Sequence, residues 1–170
     1  SADQNGNFYI AGIYNESVEI NGDLQTTSGT SFYLLKFDQD GNLIWSEITL
    51  IDDAQNSGNP YWSITSNDEA VYVFIKSSID EFMDYPVNGD ELLAKVNASG
   101  DLVWVNDDPT TSCSGNLNYS ATITADINNL YLAGEYSGCE ADCGGQIGVL
   151  TKYDMETGVL IDEIFLDEIG

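Results

Sequence analysis

Histidine and arginine are absent from this chain, and only four lysines stand against 29 acidic residues. Without histidine there is no Ser-His-Asp or Cys-His catalysis and no histidine metal site. A net charge of −25 excludes a nucleic-acid binder, which needs cations to displace counterions from phosphates. It also argues against a polybasic membrane-surface protein. Apolar runs are short, as in Val71–Ile75, and none approaches the ~20 residues of a bilayer span. The N-terminus has neither a basic start nor an apolar stretch, so it does not read as an intact signal peptide, and we expect a mature chain or a fragment. Cysteine is scarce and odd in number: Cys113, Cys139 and Cys143.

What is present is a folded-chain composition, 42% hydrophobic and 11% aromatic, in 170 residues. That is enough for one domain with a core. Self-similarity organises it. One pattern occurs three times: Phe8-Tyr9-Ile10 with Lys36-Phe37-Asp38 and Gly41–Trp45; Val71-Tyr72-Val73 with Lys95-Val96-Asn97 and Gly100–Trp104; Leu130-Tyr131-Leu132 with Lys152-Tyr153-Asp154 and Gly158. Three of the four lysines fall on one equivalent position. Asp162 stands where the third copy would carry tryptophan.

Each copy reads as short β-rich segments separated by turns. Asn5-Gly6, Asn21-Gly22, Asp40-Gly41, Asn88-Gly89 and Ser99-Gly100 offer the positive φ of tight hairpins. No 3.6-residue stripe runs long enough for a substantial helix. The expectation is an all-β chain of about three four-stranded antiparallel blades: repeat 1 over 1–53 with its first strand incomplete, repeat 2 over 54–110 and repeat 3 over 111–170. Three blades do not close a ring, which points to a segment of a larger propeller or to completion by copies or partners.

The first copy, Asp3-Gln4-Asn5-Gly6-Asn7-Phe8-Tyr9 through Lys36-Phe37-Asp38-Gln39-Asp40-Gly41 to Trp45, resembles the seven-bladed β-propeller repeat of bacterial secreted proteins. The second copy departs at Phe74-Ile75, where that repeat has Ala-Gly, and the third departs at Asp162. The resemblance implies a secreted or cell-surface protein of the kind found in Bacteroidota, often beside adhesion modules. It implies no shared catalytic residues.

Several residues are candidates for chemistry. Asp38, Asp40 and Asn42 alternate oxygen ligands around a glycine as calcium loops do, and Asp3 and Asn5 repeat the arrangement on the same rim. Turn closure explains the same residue types. Cys139 and Cys143 read as a structural disulfide, with Cys113 an alternative partner, while free thiols remain open. Acidic neighbours Glu140 and Asp142 disfavour a reactive thiolate. The repeat lysines read as ion pairs tying one strand or blade to the next. Repeat tryptophans read as blade-to-blade packing, whereas Tyr61 and Trp62, after Pro60, are candidates for an exposed contact.

The leading expectation is a non-enzymatic scaffold or interaction segment, extracellular or on the cell surface. Its partners would be proteins, further blades of the same protein or other copies, with glycans as another class and no insertion into membrane. The alternatives are a calcium-dependent carbohydrate-binding module and a glycoside hydrolase or lyase that uses acidic residues.

Overall fold

The structure, a computed structural model, describes residues 1–51, 60–77, 79–107, 109, 116–137 and 146–166. All regular structure within them is β, and no helix occurs among them. The strands are β1 (Phe8–Ile20), β2 (Asp23–Phe37), β3 (Leu43–Ile51), β4 (Tyr61–Ser66), β5 (Ala70–Lys76), β6 (Glu81–Phe82), β7 (Tyr85–Pro86), β8 (Glu91–Asn97), β9 (Leu102–Asn106), β10 (Asn116–Ala125), β11 (Asn129–Ser137), β12 (Gln146–Asp154) and β13 (Leu160–Leu166). They form three antiparallel sheets in the orders β1-β2-β3, β4-β5-β8-β9 and β10-β11-β12-β13, and β6-β7 make a separate short hairpin.

Equivalent residues occupy equivalent registers. Tyr9 pairs with Lys36, Tyr72 with Lys95 and Tyr131 with Lys152. On the next strand, Lys36 pairs with Trp45, Lys95 with Trp104 and Lys152 with Asp162. All three sheets slip register just after the lysine, so the bulge is part of the repeat. The first sheet has only a vestige of a leading strand, a bridge between Ala2 and Phe8.

Turn chemistry fixes these registers. Asn21 and Gly22 both take positive φ, 54° and 88°, and close a two-residue hairpin between β1 and β2. Gly89 does not take the left-handed conformation expected of Asn88-Gly89. A Cβ there would collide with the Asp107 carbonyl oxygen, so close backbone approach is what requires glycine. In that stretch the tight turn is at Met83 and Asp84, with φ of 51° and 63°, between β6 and β7.

Side-chain alternation places the middle sheet between the other two. Val71, Val73 and Ile75 pack with Tyr9, Phe32, Leu34 and Ile51 of the first sheet. Tyr72 and Phe74 point the other way and pack with Ile123, Leu130, Leu132 and Tyr153 of the third. Strand β5 is therefore buried on both faces, which is why its sequence is continuously apolar. Each core joins neighbouring sheets only.

The sheets approach most closely at their leading strands. Strand β10 runs beside β4, and the Ile123 amide donates to Ser63 Oγ at 3.2 Å. The trailing strands β3, β9 and β13 make no comparable approach to one another.

Candidate functional site

The described chemistry lies along one rim, where the turns before β1, β5 and β11 meet the turns that precede β3, β9 and β13. Each turn is closed by its own side chain. Asp38 Oδ1 accepts from the amides of Asp40 and Asn42 at 2.9 and 2.8 Å, and Oδ2 accepts from Asn42 Nδ2 at 2.8 Å. Asp3 repeats the arrangement with the amides of Asn5 and Asn7 and with Asn7 Nδ2. In the middle sheet the chemistry is exchanged: Asn97 accepts the two amides and its Nδ2 donates to Asp101 Oδ2 at 3.0 Å. Aspartate followed by asparagine, or the reverse, closes the same loop. These donors hold the Asp38 carboxyl below the usual range, Asn42 contributing most. Backbone donation from Asn128 and the Tyr131 hydroxyl does the same for Asp126, and Thr157 does it for Asp154.

The five residues expected as calcium ligands fall on two adjoining turns, since a Cβ at Gly6 would lie 3.3 Å from Gln39 Cβ. Asp3 and Asp38 are engaged in the loops just described. Among the described residues no group of three or more acidic, cysteine or histidine side chains is arranged to hold a metal. Cys113, Cys139 and Cys143 lie outside the described residues. Tyr61 and Trp62 open strand β4 and do not lie in a connecting loop. Both are half-buried; Tyr61 packs toward the third sheet and Trp62 toward the first, where its Nε1 donates to the Ala11 carbonyl at 3.3 Å.

The lysine and tryptophan of the first and second repeats converge on the next sheet. Lys36 Nζ and Trp45 Nε1 both donate to the Ala98 carbonyl, at 2.7 and 3.2 Å. One sheet on, Trp104 Nε1 donates to the Met155 carbonyl at 3.2 Å, and Lys95 Nζ pairs with Glu156 Oε2 at 3.0 Å. Ala98 and Met155 each stand three residues after a repeat lysine, so the acceptor is the same turn position. Within its own sheet each lysine sits over the repeat tyrosine, 5.3 Å from the Tyr9 ring and 5.8 Å from Tyr72. Trp45 and Trp104 stand beside the same rings at 6.0 and 6.3 Å. Sequence reasoning anticipated carboxylate partners, whereas Lys36 meets a backbone carbonyl. The signal that locates the acceptor is the glycine of the turn. A Cβ at Gly100 would approach the Trp45 ring to 3.1 Å, and one at Gly158 the Trp104 ring to 2.6 Å.

Two acidic hollows lie among the described residues. One, of about 530 Å³, is lined by the rim turns and includes Asp3, Asp68, Glu69, Asp126 and Glu156. Tyr9 and Tyr72 are buried close to these acids, and the Tyr9 hydroxyl has no hydrogen-bond partner among the described residues. Burial, with the charges of Asp3 and Asp68, pushes Tyr9 up to about 12. Burial also pushes Tyr72 up to about 12, assisted by Glu156 and Glu69 and opposed by Asn67. The other hollow, of about 330 Å³, lies between β3 and the β6–β7 hairpin. There burial and then Asp84 raise the carboxyl of half-buried Glu47, a residue that nothing in its sequence context marks. Burial also raises the carboxyl of Glu163 on β13 of the third sheet, whereas Glu47 lies on β3 of the first, and a glycosidase needs two carboxyls facing each other across one sugar.

Comparison with known proteins assigns no family: no family model matches the chain, and no curated protein matches it significantly.

Proposed function

We propose that this chain is a non-enzymatic interaction scaffold, a run of three β-propeller blades belonging to a secreted or cell-surface protein of adhesion type. The observation that carries this reading is the repeated lock, in which a tryptophan of one sheet closes on one turn position of the next and the lysine beside it reaches the same turn. A lock that always points from one repeat to its successor lets sheets be added in series. The close approach of leading strands β4 and β10 fits blades set around an axis. The repeat residues with the most constrained surroundings serve this joining, and that favours scaffolding over catalysis. The surface at net −25 repels itself at low salt and is screened in saline surroundings, which suits an exterior location.

The rotation between successive sheets, measured in crystals of the protein, tests the blade reading. Rings of eight to four blades require about 45–90° per blade, equal at both steps. Sheets related by translation alone contradict it. Hydrolysis of any glycan in a panel, abolished by Glu47→Gln, contradicts the scaffold reading. The calcium-binding alternative requires a rise in melting temperature at millimolar calcium, whereas a plain scaffold shows none.

A further inference from the structure

The lock has two filled acceptor turns and one further turn built the same way. Asp38-Gln39-Asp40-Gly41 in the first sheet corresponds to Asn97-Ala98-Ser99-Gly100 in the second. Gly41 takes a φ of 85°, like Gly100 at 94° and Gly158 at 70°. Trp45 lies against Gly100 and Trp104 against Gly158, but space is open around Gly41. The sheet face behind this turn carries Phe8, Ile10, Tyr33, Leu35 and Phe37. Its equivalents in the middle sheet, Val71, Val73, Leu92, Ala94 and Val96, are fully covered, whereas here only Leu35 is buried, Phe8, Tyr33 and Phe37 are half-buried and Ile10 is 41% exposed.

We infer that this outer face of β1-β2-β3 is a docking surface for another antiparallel sheet of the same repeat type, one that presents a tyrosine, a lysine and a tryptophan on neighbouring strands. The lysine would donate to the Gln39 carbonyl with the Asp40 carboxylate beside it, as Lys95 meets Glu156. The tryptophan ring would lie on Gly41. A second copy of this chain fits less well. The face it would offer, that of Tyr131 and Lys152, carries Asp162 at the tryptophan position and would set a carboxylate against Asp38 and Asp40. This inference rests on the blade reading, and its test separates the two.

A tandem protein provides the test, with an extra copy of residues 1–63 joined ahead of Ser1 of the full chain. That length preserves the 63-residue offset between Tyr9 and Tyr72. In the unmodified chain, Gly41→Ala lowers the melting temperature by about 2–4 °C through positive-φ strain alone. In the tandem protein the same change in the original copy lowers it by about as much again, because the new methyl meets the added tryptophan. Trp45→Phe in the added copy abolishes that excess. Acrylamide quenching gives a second readout: the added Trp45 is shielded in the tandem protein and becomes accessible with Gly41→Ala. Equal losses in both proteins, with the added tryptophan accessible, overturn the inference. Gly100→Ala combined with Trp45→Phe in the unmodified chain is the control. Coupling there without coupling in the tandem leaves the blade reading standing, and coupling in neither removes both. Self-association of the unmodified chain by sedimentation, lost with Gly41→Ala, would make a second copy the occupant and overturn it as well.

Discussion

Strands β1 and β5 hold equivalent places in their sheets and differ in what covers them. Val71 and Val73 are fully buried against the first sheet, while Phe8 and Ile10, at the same positions, are half-buried and exposed. The difference lies in the neighbours and not in the strands, since both pair in the same register with their lysine strand. Burial on one face leaves a polar or aromatic choice open on the other. Gly12 with Tyr33 folded over it is such a choice, and the middle sheet has Ile75 and Leu92 there instead. One repeat pattern thus builds both a strand covered on two faces, β5, and a strand whose second face is partly open among the described residues, β1.

The turn glycines carry the largest expected difference between the two regions. Gly158→Ala combines positive-φ strain with overlap onto the Trp104 ring and is expected to cost about 3 kcal/mol. Gly41→Ala carries the strain alone, about 1 kcal/mol, so denaturant midpoints of the two variants should differ clearly. Equal costs would mean that the tryptophan does not bear on its neighbour's turn. The covered and uncovered faces come next. Val73→Ala should cost about 2 kcal/mol and Ile10→Ala less than about 1 kcal/mol, although isoleucine is the larger side chain.

Much of the fold was legible and some of it was not. The tyrosine, lysine and glycine spacing located the strands because turn residues and β-branched runs act locally. The partner of Lys36 was not legible. A backbone carbonyl has no residue identity, so a search for carboxylates misses Ala98. The tight turn at Met83-Asp84 was equally hidden, because neither residue advertises positive φ. Gly89 misled for the converse reason: glycine signals either a turn or a close approach, and here it is the latter. Asp38-Gln39-Asp40-Gly41-Asn42 is ambiguous in sequence because loop closure and cation binding draw on the same oxygens. Glu47 gave no signal, since its burial depends on a hairpin contributed by the next repeat.

Two pH-dependent effects sharpen the contrast between interior and rim. Tyr9 and Tyr72 titrate at about 12 in the fold against 10.0 ordinarily. Their raised values mean that the stability they support is whole below pH 10 and is lost as pH rises toward 12. Tyrosinate absorbance should show these two lagging behind the exposed tyrosines, with unfolding advancing as they ionise. Glu47 gives a smaller effect. Its raised carboxyl penalises the folded state once ionised, so Glu47→Gln should raise the neutral-pH midpoint by a fraction of a kcal/mol. The gain should vanish below the ordinary glutamate value of 4.5.

The lysine series addresses the lock itself. Lys36→Ala, Lys95→Ala and Lys152→Ala remove the same side chain from the same register in three sheets, and chemical denaturation of each variant measures what it does. The account predicts a descending order. Lys36, buried and bonded to the Ala98 carbonyl, should cost about 2 kcal/mol. Lys95, whose partner Glu156 is 72% exposed, should cost about 1 kcal/mol. Lys152, which meets the Tyr131 ring at 5.9 Å, should cost less than about 0.5 kcal/mol. A loss at Lys152 matching that at Lys36, or no loss at any of the three, would contradict a lock that runs from each sheet to its successor.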